Sequence, residues 1–162
     1  MKSEVTLRHL NQGDYKDVRE YVCNPEVAKY LTWQVYTQEK DVKDYFHKVL
    51  SKTACPDEVL GIEYQGKIIG TVHLILRQGN FIQMGFGITP HLWGQGIGTN
   101  TLEAILGRIQ NTEWSMISKE IWADIHRDNI YAAKTLQKCG FILQKPGIEL
   151  NRNRFILKIP LV

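Results

Sequence analysis

Three glycines stand on alternate positions in Trp93-Gly94-Gln95-Gly96-Ile97-Gly98-Thr99-Asn100, between a stretch patterned as a strand and one patterned as a helix. A tight strand-to-helix connection needs one glycine. Three permit positive φ and close approach of the main chain to a ligand, and the free amides and dipole of the following helix favour an anion such as phosphate. The turn therefore predicts a strand-turn-helix unit with an anion cradle at its corner. Two familiar cradles are disfavoured by the letters themselves. A Walker loop ends in Gly-Lys-Ser/Thr, and no lysine stands near the turn. A dinucleotide fingerprint counted from Gly94 requires glycine where Thr99 stands, and the preceding strands read as hairpins instead of a parallel unit.

The elements around this unit follow from periodicity. Residues 5–10 read as a first strand, and Tyr15, Val18, Tyr21 and Val22 then keep helical spacing until Asn24-Pro25. A second helix is predicted over 37–50, where Val42, Tyr45, Phe46 and Val49 fall on one face and Thr37, Glu39 and Asp41 suit its positive end. Segments 59–64, 67–76 and 81–88 are rich in β-branched and aromatic residues and are separated by turn residues, as in an antiparallel meander. After the glycine turn, Leu102, Ile105, Leu106 and Ile109 form one helical stripe. A strand at 120–125, a helix from about 129 to 138 closed by Gly140, and strands at 141–144 and 154–159 complete the chain. Strands outnumber helices, so the expectation is an α+β fold with a mixed, mostly antiparallel central sheet flanked by helices.

No repeat or linker-like run divides the 162 residues, and a single domain over 1–162 is expected. A net charge of +3 from 20 basic and 17 acidic residues is too balanced to announce a nucleic-acid surface. No segment approaches the roughly 20 apolar residues of a membrane span, and no signal peptide is evident. Cys23, Cys55 and Cys139 are odd in number and far apart, without zinc-site spacing, so no metal site is expected and reduced thiols point to the cytoplasm.

Three blocks carry a resemblance to a known family. Met84-Gly85-Phe86-Gly87-Ile88-Thr89-Pro90 leads into Trp93-Gly94-Gln95-Gly96-Ile97-Gly98-Thr99; Asn129-Ile130-Tyr131-Ala132 leads to Leu136, Lys138, Gly140 and Phe141; and the first strand and helix lead to Asn24-Pro25-Glu26-Val27. With them the chain resembles the GNAT N-acetyltransferases, and among these the branch of ribosomal-protein N-terminal acetyltransferases. The resemblance implies acetyl-CoA as cosubstrate, its pyrophosphate on the amides of Gly94, Gln95, Gly96, Ile97, Gly98 and Thr99 beside Trp93. It implies pantetheine along Phe86, Gly87 and Ile88, in a splay between that strand and the one before Asn129. The Ile88 amide would face the thioester oxygen, Asn129 and Ala132 would border the pantetheine arm, and Lys134 would reach a CoA phosphate. The acceptor implied is a protein N-terminus or a small-molecule amine, and the resemblance allows a homodimer.

The chain departs from the family where acid and base are usual. A Glu two positions before the glycine matching Gly85 often serves as base, and here it is Gln83. A Tyr following the leucine matching Leu136 often serves as acid, and here that position reads Gln137. A leaving thiol of pKa about 8.5 departs as thiolate, so the acid is the lesser loss. The base matters according to the acceptor: an α-amine of pKa about 7.8 is roughly 15% neutral at pH 7, a lysine amine only about 1 in 2,500. Substitute bases are His73, His126, Glu149, or a water chain through Gln83. Cys139 reads as a core thiol. Tyr30, Trp33 and Tyr36 form an aromatic group by the acceptor region, and Arg152 and Arg154 read as a solvated hairpin. A second reading, an acetyl-CoA-binding module without transfer, is left open by Gln83 and Gln137.

Overall fold

Strand β3 (Asp57–Tyr64) buries alternate residues on opposite faces, with Val59 in one apolar cluster and Leu60 and Ile62 in another. The sheet is thus covered on both sides. The computed structural model describes residues 4–30, 35–149 and 151–159, with the main chain alone for 145–149. In chain order the other elements are β1 (Val5–Arg8), α1 (Tyr15–Val22), α2 (Pro25–Ala28), α3 (Glu39–Leu50), β2 (Thr53–Ala54), β4 (Lys67–Arg77) and β5 (Phe81–Ile88). They are followed by α4 (Ile97–Gln110), α5 (Trp114–Ile117), β6 (Glu120–His126), α6 (Ile130–Lys138), β7 (Ile142–Glu149) and β8 (Arg152–Lys158). The strands form one sheet in the order β1-β3-β4-β5-β6-β8-β7, with β2 beside β3. Among the described residues only β5 and β6 run parallel, and every other pair is antiparallel. The mixed sheet flanked by helices is the architecture that the order of elements predicts.

One face packs against α4 and α6: Ile82, Met84 and Ile88 of β5 join Leu102, Ile105 and Ile109 of α4 and Leu136 of α6 in one buried cluster. The opposite face carries α1, α2 and α3, whose Val18, Val22, Val27, Val42, Phe46 and Val49 close over Val59 and Ile68. Local chemistry fixes the entry of this layer. Asn11 and Asp14 form a capping box, and Asn24 caps α2 ahead of Pro25. A Cβ at Gly70 would lie 1.9 Å from the Gly87 carbonyl oxygen, so β4 and β5 approach closely only because residue 70 has no side chain.

The structure differs from the sequence reading at several ends. Helix α3 starts at Glu39 after an extended Gln38, so Thr37 is not its cap. The C-terminal hairpin is longer than expected on both strands. Helices α2 and α5, four residues each, are too short to show a period.

Candidate active site

The parallel pair determines the site. Strands β5 and β6 are in register only at Ile82 with Ile121 and Gln83 with Trp122, and then diverge while β5 runs on to Ile88 and β6 to His126. A wedge opens between them toward their C-terminal ends. Thr89 donates its N–H to the Ile69 carbonyl at 2.8 Å, and strand alternation turns the Ile88 and Phe86 N–H groups the other way, into the wedge. The Trp93 indole donates to the Ile88 carbonyl at 2.8 Å and ties the glycine turn to the end of β5.

Both strands feed helices whose N-termini open at the mouth of the wedge, the usual ligand crevice of a parallel crossover. At α4, Gly94 and Gly96 adopt φ of 75° and 79°, and Gly96 is the cap residue without any side-chain cap bond. A Cβ at Gly94, Gly96 or Gly98 would meet nothing within 4 Å. The amides of the first turn thus face open space, anchored from behind by Ile97, which is 1% exposed. At α6, the Asn129 side-chain oxygen accepts the Ala132 N–H at 3.2 Å and caps its own helix. Its amide nitrogen, not its oxygen, is what remains for a ligand. Trp93, Ile130 and Tyr131 leave large apolar surface exposed beside these two N-termini.

The face of the wedge under α1 to α3 is set by cross-strand pairs, whose side chains share a side. His73 pairs with Gly85, Ile75 with Gln83, and Thr71 with Gly87 on β4 and β5; Asp124 pairs with Arg154 on β6 and β8. The bare floor at Gly85, where a Cβ would meet open space, therefore has His73 beside it on β4, while Asp124 stands across the wedge on β6. His73 keeps a little open surface and contacts the Tyr45 hydroxyl at 3.3 Å. Burial, aided by the charge of Lys52, lowers its pKa to about 4, so the imidazole is neutral at physiological pH; burial likewise pushes the Tyr45 phenol up to about 12.

Both Asp124 carboxylate oxygens accept from Arg154, at 2.8 and 2.9 Å, and the same guanidinium lies 4.2 Å over the Trp122 ring, which stacks on Phe81 at 3.6 Å. Arg152 donates to the carbonyls of Asp124 and Tyr30. These two arginines organise the face, contrary to the expectation of a solvated hairpin. Arg77 donates to the Gln83 side-chain oxygen at 2.6 Å.

A family model for the acetyltransferase (GNAT) domain matches residues 4–142. The chain belongs to the GNAT acetyltransferase family. No curated protein matches it by sequence. Among solved structures it is similar to the spermidine N-acetyltransferase of Vibrio cholerae in complex with CoA and spermine, with 18% identity over 95% of each chain and a TM-score of 0.77. It is similar to a GNAT-family acetyltransferase of Bacillus anthracis, 18% identical over 98% of this chain and 97% of that one, TM-score 0.79. The self-immunity acetyltransferase MccE, in complex with acetyl-CoA and AMP, matches at 20% identity over 96% and 93%, TM-score 0.78. At such identities the likeness is one of fold.

Membership makes acetyl-CoA the cosubstrate of this GNAT chain, and the residues fit it: a side-chain-free cradle of uncapped amides, an exposed apolar rim and a strand edge with unpaired N–H groups. Of the expected contacts, Phe86, Gly87, Ile88, residues 93–99, Asn129 and Ala132 lie along the wedge and its mouth. Lys134 sits on the exposed side of α6. Gln137 is also exposed, so a hydroxyl there would point to solvent; the residue of α6 that faces the sheet is Leu136, 1% exposed. His126 ends β6, its ring 5.6 Å from Tyr30. Tyr36 packs on Tyr45 at 5.4 Å, while Trp33 lies outside the described residues. Glu149 ends β7 opposite Arg152, and its side chain lies outside them too. Burial, the largest cause, pushes the Cys139 thiol up, which suits an unreactive residue. Among the described residues no group of three His, Cys, Asp or Glu side chains could hold a metal, and no helix is long and apolar enough to cross a membrane.

Sequence reasoning missed Asp124, Arg77 and Tyr45. The alternation in Ile121-Trp122-Ala123-Asp124-Ile125-His126 was the available clue, because it puts Asp124 on the polar side of an otherwise buried strand.

Proposed function

We propose that the protein transfers the acetyl group of acetyl-CoA to a primary amine by direct attack within a ternary complex. The wedge carries this reading: β5 and β6 part after one short paired stretch, and the Ile88 N–H points into the gap below an amide cradle. The pyrophosphate rests on residues 94–99, the pantetheine arm lies along Phe86 to Ile88 near Asn129 and Ala132, and Lys134 supplements the phosphate contacts. The amine approaches over Gly85, where nothing obstructs it. As nitrogen bonds to the thioester carbon, charge gathers on the oxygen, where the Ile88 N–H donates. His73, neutral beside Gly85, takes the proton that the nitrogen releases and gives it up to the departing CoA thiolate or to solvent, while the protonated Tyr45 hydroxyl holds the ring in place.

The acceptor is a protein N-terminal α-amine or a small-molecule amine, and one of low pKa is the easier of these because it is appreciably neutral before any base acts. The three sequence blocks favour the ribosomal-protein branch for the former. The structural relatives with spermine or an aminoglycoside bound favour the latter. Thiol release from acetyl-CoA across a panel of amines, with the acetylated product weighed by mass spectrometry, tests transfer. Retained turnover in Cys139→Ala supports direct attack, and its loss with acetyl-CoA still bound would sink it.

A second reading has its own support. Gln83 is held by Arg77 and Gln137 is an exposed amide that cannot act as an acid, as in a module that binds acetyl-CoA without transferring it. Acetyl-CoA binding with no thiol release for any amine favours that reading.

A further inference from the structure

On the face of the wedge under α1 to α3, the polar groups around Gln83 are chiefly donors, and the carboxylates near them are already engaged. Arginine carries only donors, so its bond from Arg77 Nε fixes the Gln83 amide with its oxygen occupied and its NH₂ outward. Asp124, the carboxylate beside the wedge, has both oxygens taken by Arg154. Arg152 is turned onto two backbone carbonyls. Arg77 differs from these. Its side chain is exposed, and among the described residues no carboxylate lies within ion-pair distance of it. Arg77, Gln83, Phe81, Leu76 and Gln78 line one cleft of about 520 Å³.

We infer that this cleft binds an anionic group of the acceptor, so that the preferred substrate is an amine carrying a carboxylate or phosphate. The inference rests on the proposed acetyl transfer and names its substrate class. Strand geometry sets the span. Gln83 and Gly85 are two residues apart on β5, about 7 Å, so an amine over Gly85 and an anion at Gln83 and Arg77 are joined by a chain of a few bonds. A polyamine meets the opposite situation, since its second ammonium would face the Arg77 guanidinium and an amide NH₂, while Asp124 is occupied by Arg154 and Glu120 already accepts from the Trp122 indole.

The test uses four amines: 4-aminobutyrate, 2-aminoethyl phosphate, the neutral 4-aminobutanamide and spermidine. Their affinities for the CoA complex are measured by calorimetry, and transfer from acetyl-CoA is measured in parallel. The expected result is that one or both anionic amines bind about tenfold tighter than the neutral amide, and spermidine weakest. The two anionic arms tell a carboxylate site from a phosphate site. In Arg77→Met the advantage of the anionic amines over the amide disappears, and Arg77→Lys restores part of it, with acetyl-CoA affinity recorded for each variant as the check on folding. Spermidine binding as tightly as the anionic amines, or an Arg77→Met shift equal for all four, overturns the inference. Selective anion binding without transfer to any amine upholds it and counts instead against the transferase reading.

Discussion

His73 and Gly85 stand opposite each other across the β4–β5 ladder, and the space above Gly85 is open while the far side of the imidazole is enclosed against Tyr45. Burial and Lys52 lower the His73 pKa to about 4 from 6.5. The unfolded chain binds this proton more tightly than the native one, so the linkage has a definite sign. Stability is full above about pH 6.5 and falls as the pH drops toward 4, by about 3 kcal/mol in all. Denaturant melts at pH 7 and pH 5 read the loss, and His73→Gln is expected to flatten it.

The same substitution has a kinetic consequence. A neutral His73 has no titration between pH 6 and 8, so the rise of kcat/KM in that range is expected to follow the pKa of each acceptor amine. His73→Gln keeps a hydrogen-bonding side chain but accepts no proton, and kcat is expected to fall about 100-fold with acetyl-CoA affinity retained. A pH profile that shifts with the variant instead of the acceptor would contradict this role.

How far these relationships are visible in the sequence depends on whether they are local. The glycine turn, the Gly140 terminus with its φ of 92° and the stripes of α1, α3, α4 and α6 all follow from neighbouring residues, and the strand-turn-helix cradle stands where the letters place it. The pairing of Asp124 with Arg154 joins strands 30 positions apart, and Arg152 reaches Tyr30 across 122 positions; no period reports such contacts. Gln137, where the resemblance puts the acid, has its side chain in solvent for a related reason. A motif carries residue types along the chain, whereas the helix phase that turns Leu136 inward is a property of packing.

Gly96→Val tests the cradle. Residue 96 has φ of 79°, which a β-branched side chain adopts only under strain, and the added carbons would occupy the space in front of the amides. Acetyl-CoA affinity is expected to fall by at least about tenfold by calorimetry, while the helical circular dichroism signal is kept.

Gly70→Ala tests the close approach of β4 and β5. Its Cβ would lie 1.9 Å from the Gly87 oxygen, a backbone atom that cannot rotate away. Strand β5 must shift at the residues that face the wedge, and a loss of about 3 kcal/mol in stability is expected together with a loss of turnover. A thermal melt unchanged from the wild type would mean that the strands have slack that the geometry does not show.

Glu58 gives the molecule a second acid-sensitive element, far from the wedge. It is 2% exposed and accepts from the Trp114 indole at 2.6 Å, from Arg108, and contacts His9 at 2.9 Å, so that β3 is tied to α4, to α5 and to the segment after β1. Burial acts to raise its pKa, but the three partners outweigh burial and hold the carboxyl below 4.5. Here the native state keeps the charged form, so its contribution is present above the unfolded pKa and is lost as pH falls through the lower native value. The acid loss from Glu58 therefore begins where that from His73 ends. Glu58→Gln puts an amide NH₂ against donors of Arg108 and Trp114, and a cost of about 3 kcal/mol is expected at pH 7. Below about pH 4 the gap between variant and wild type is expected to narrow in denaturant melts, because the wild-type carboxyl then takes up its own proton. A gap that stays constant down to pH 3 would show that Glu58 acts through its shape and not its charge.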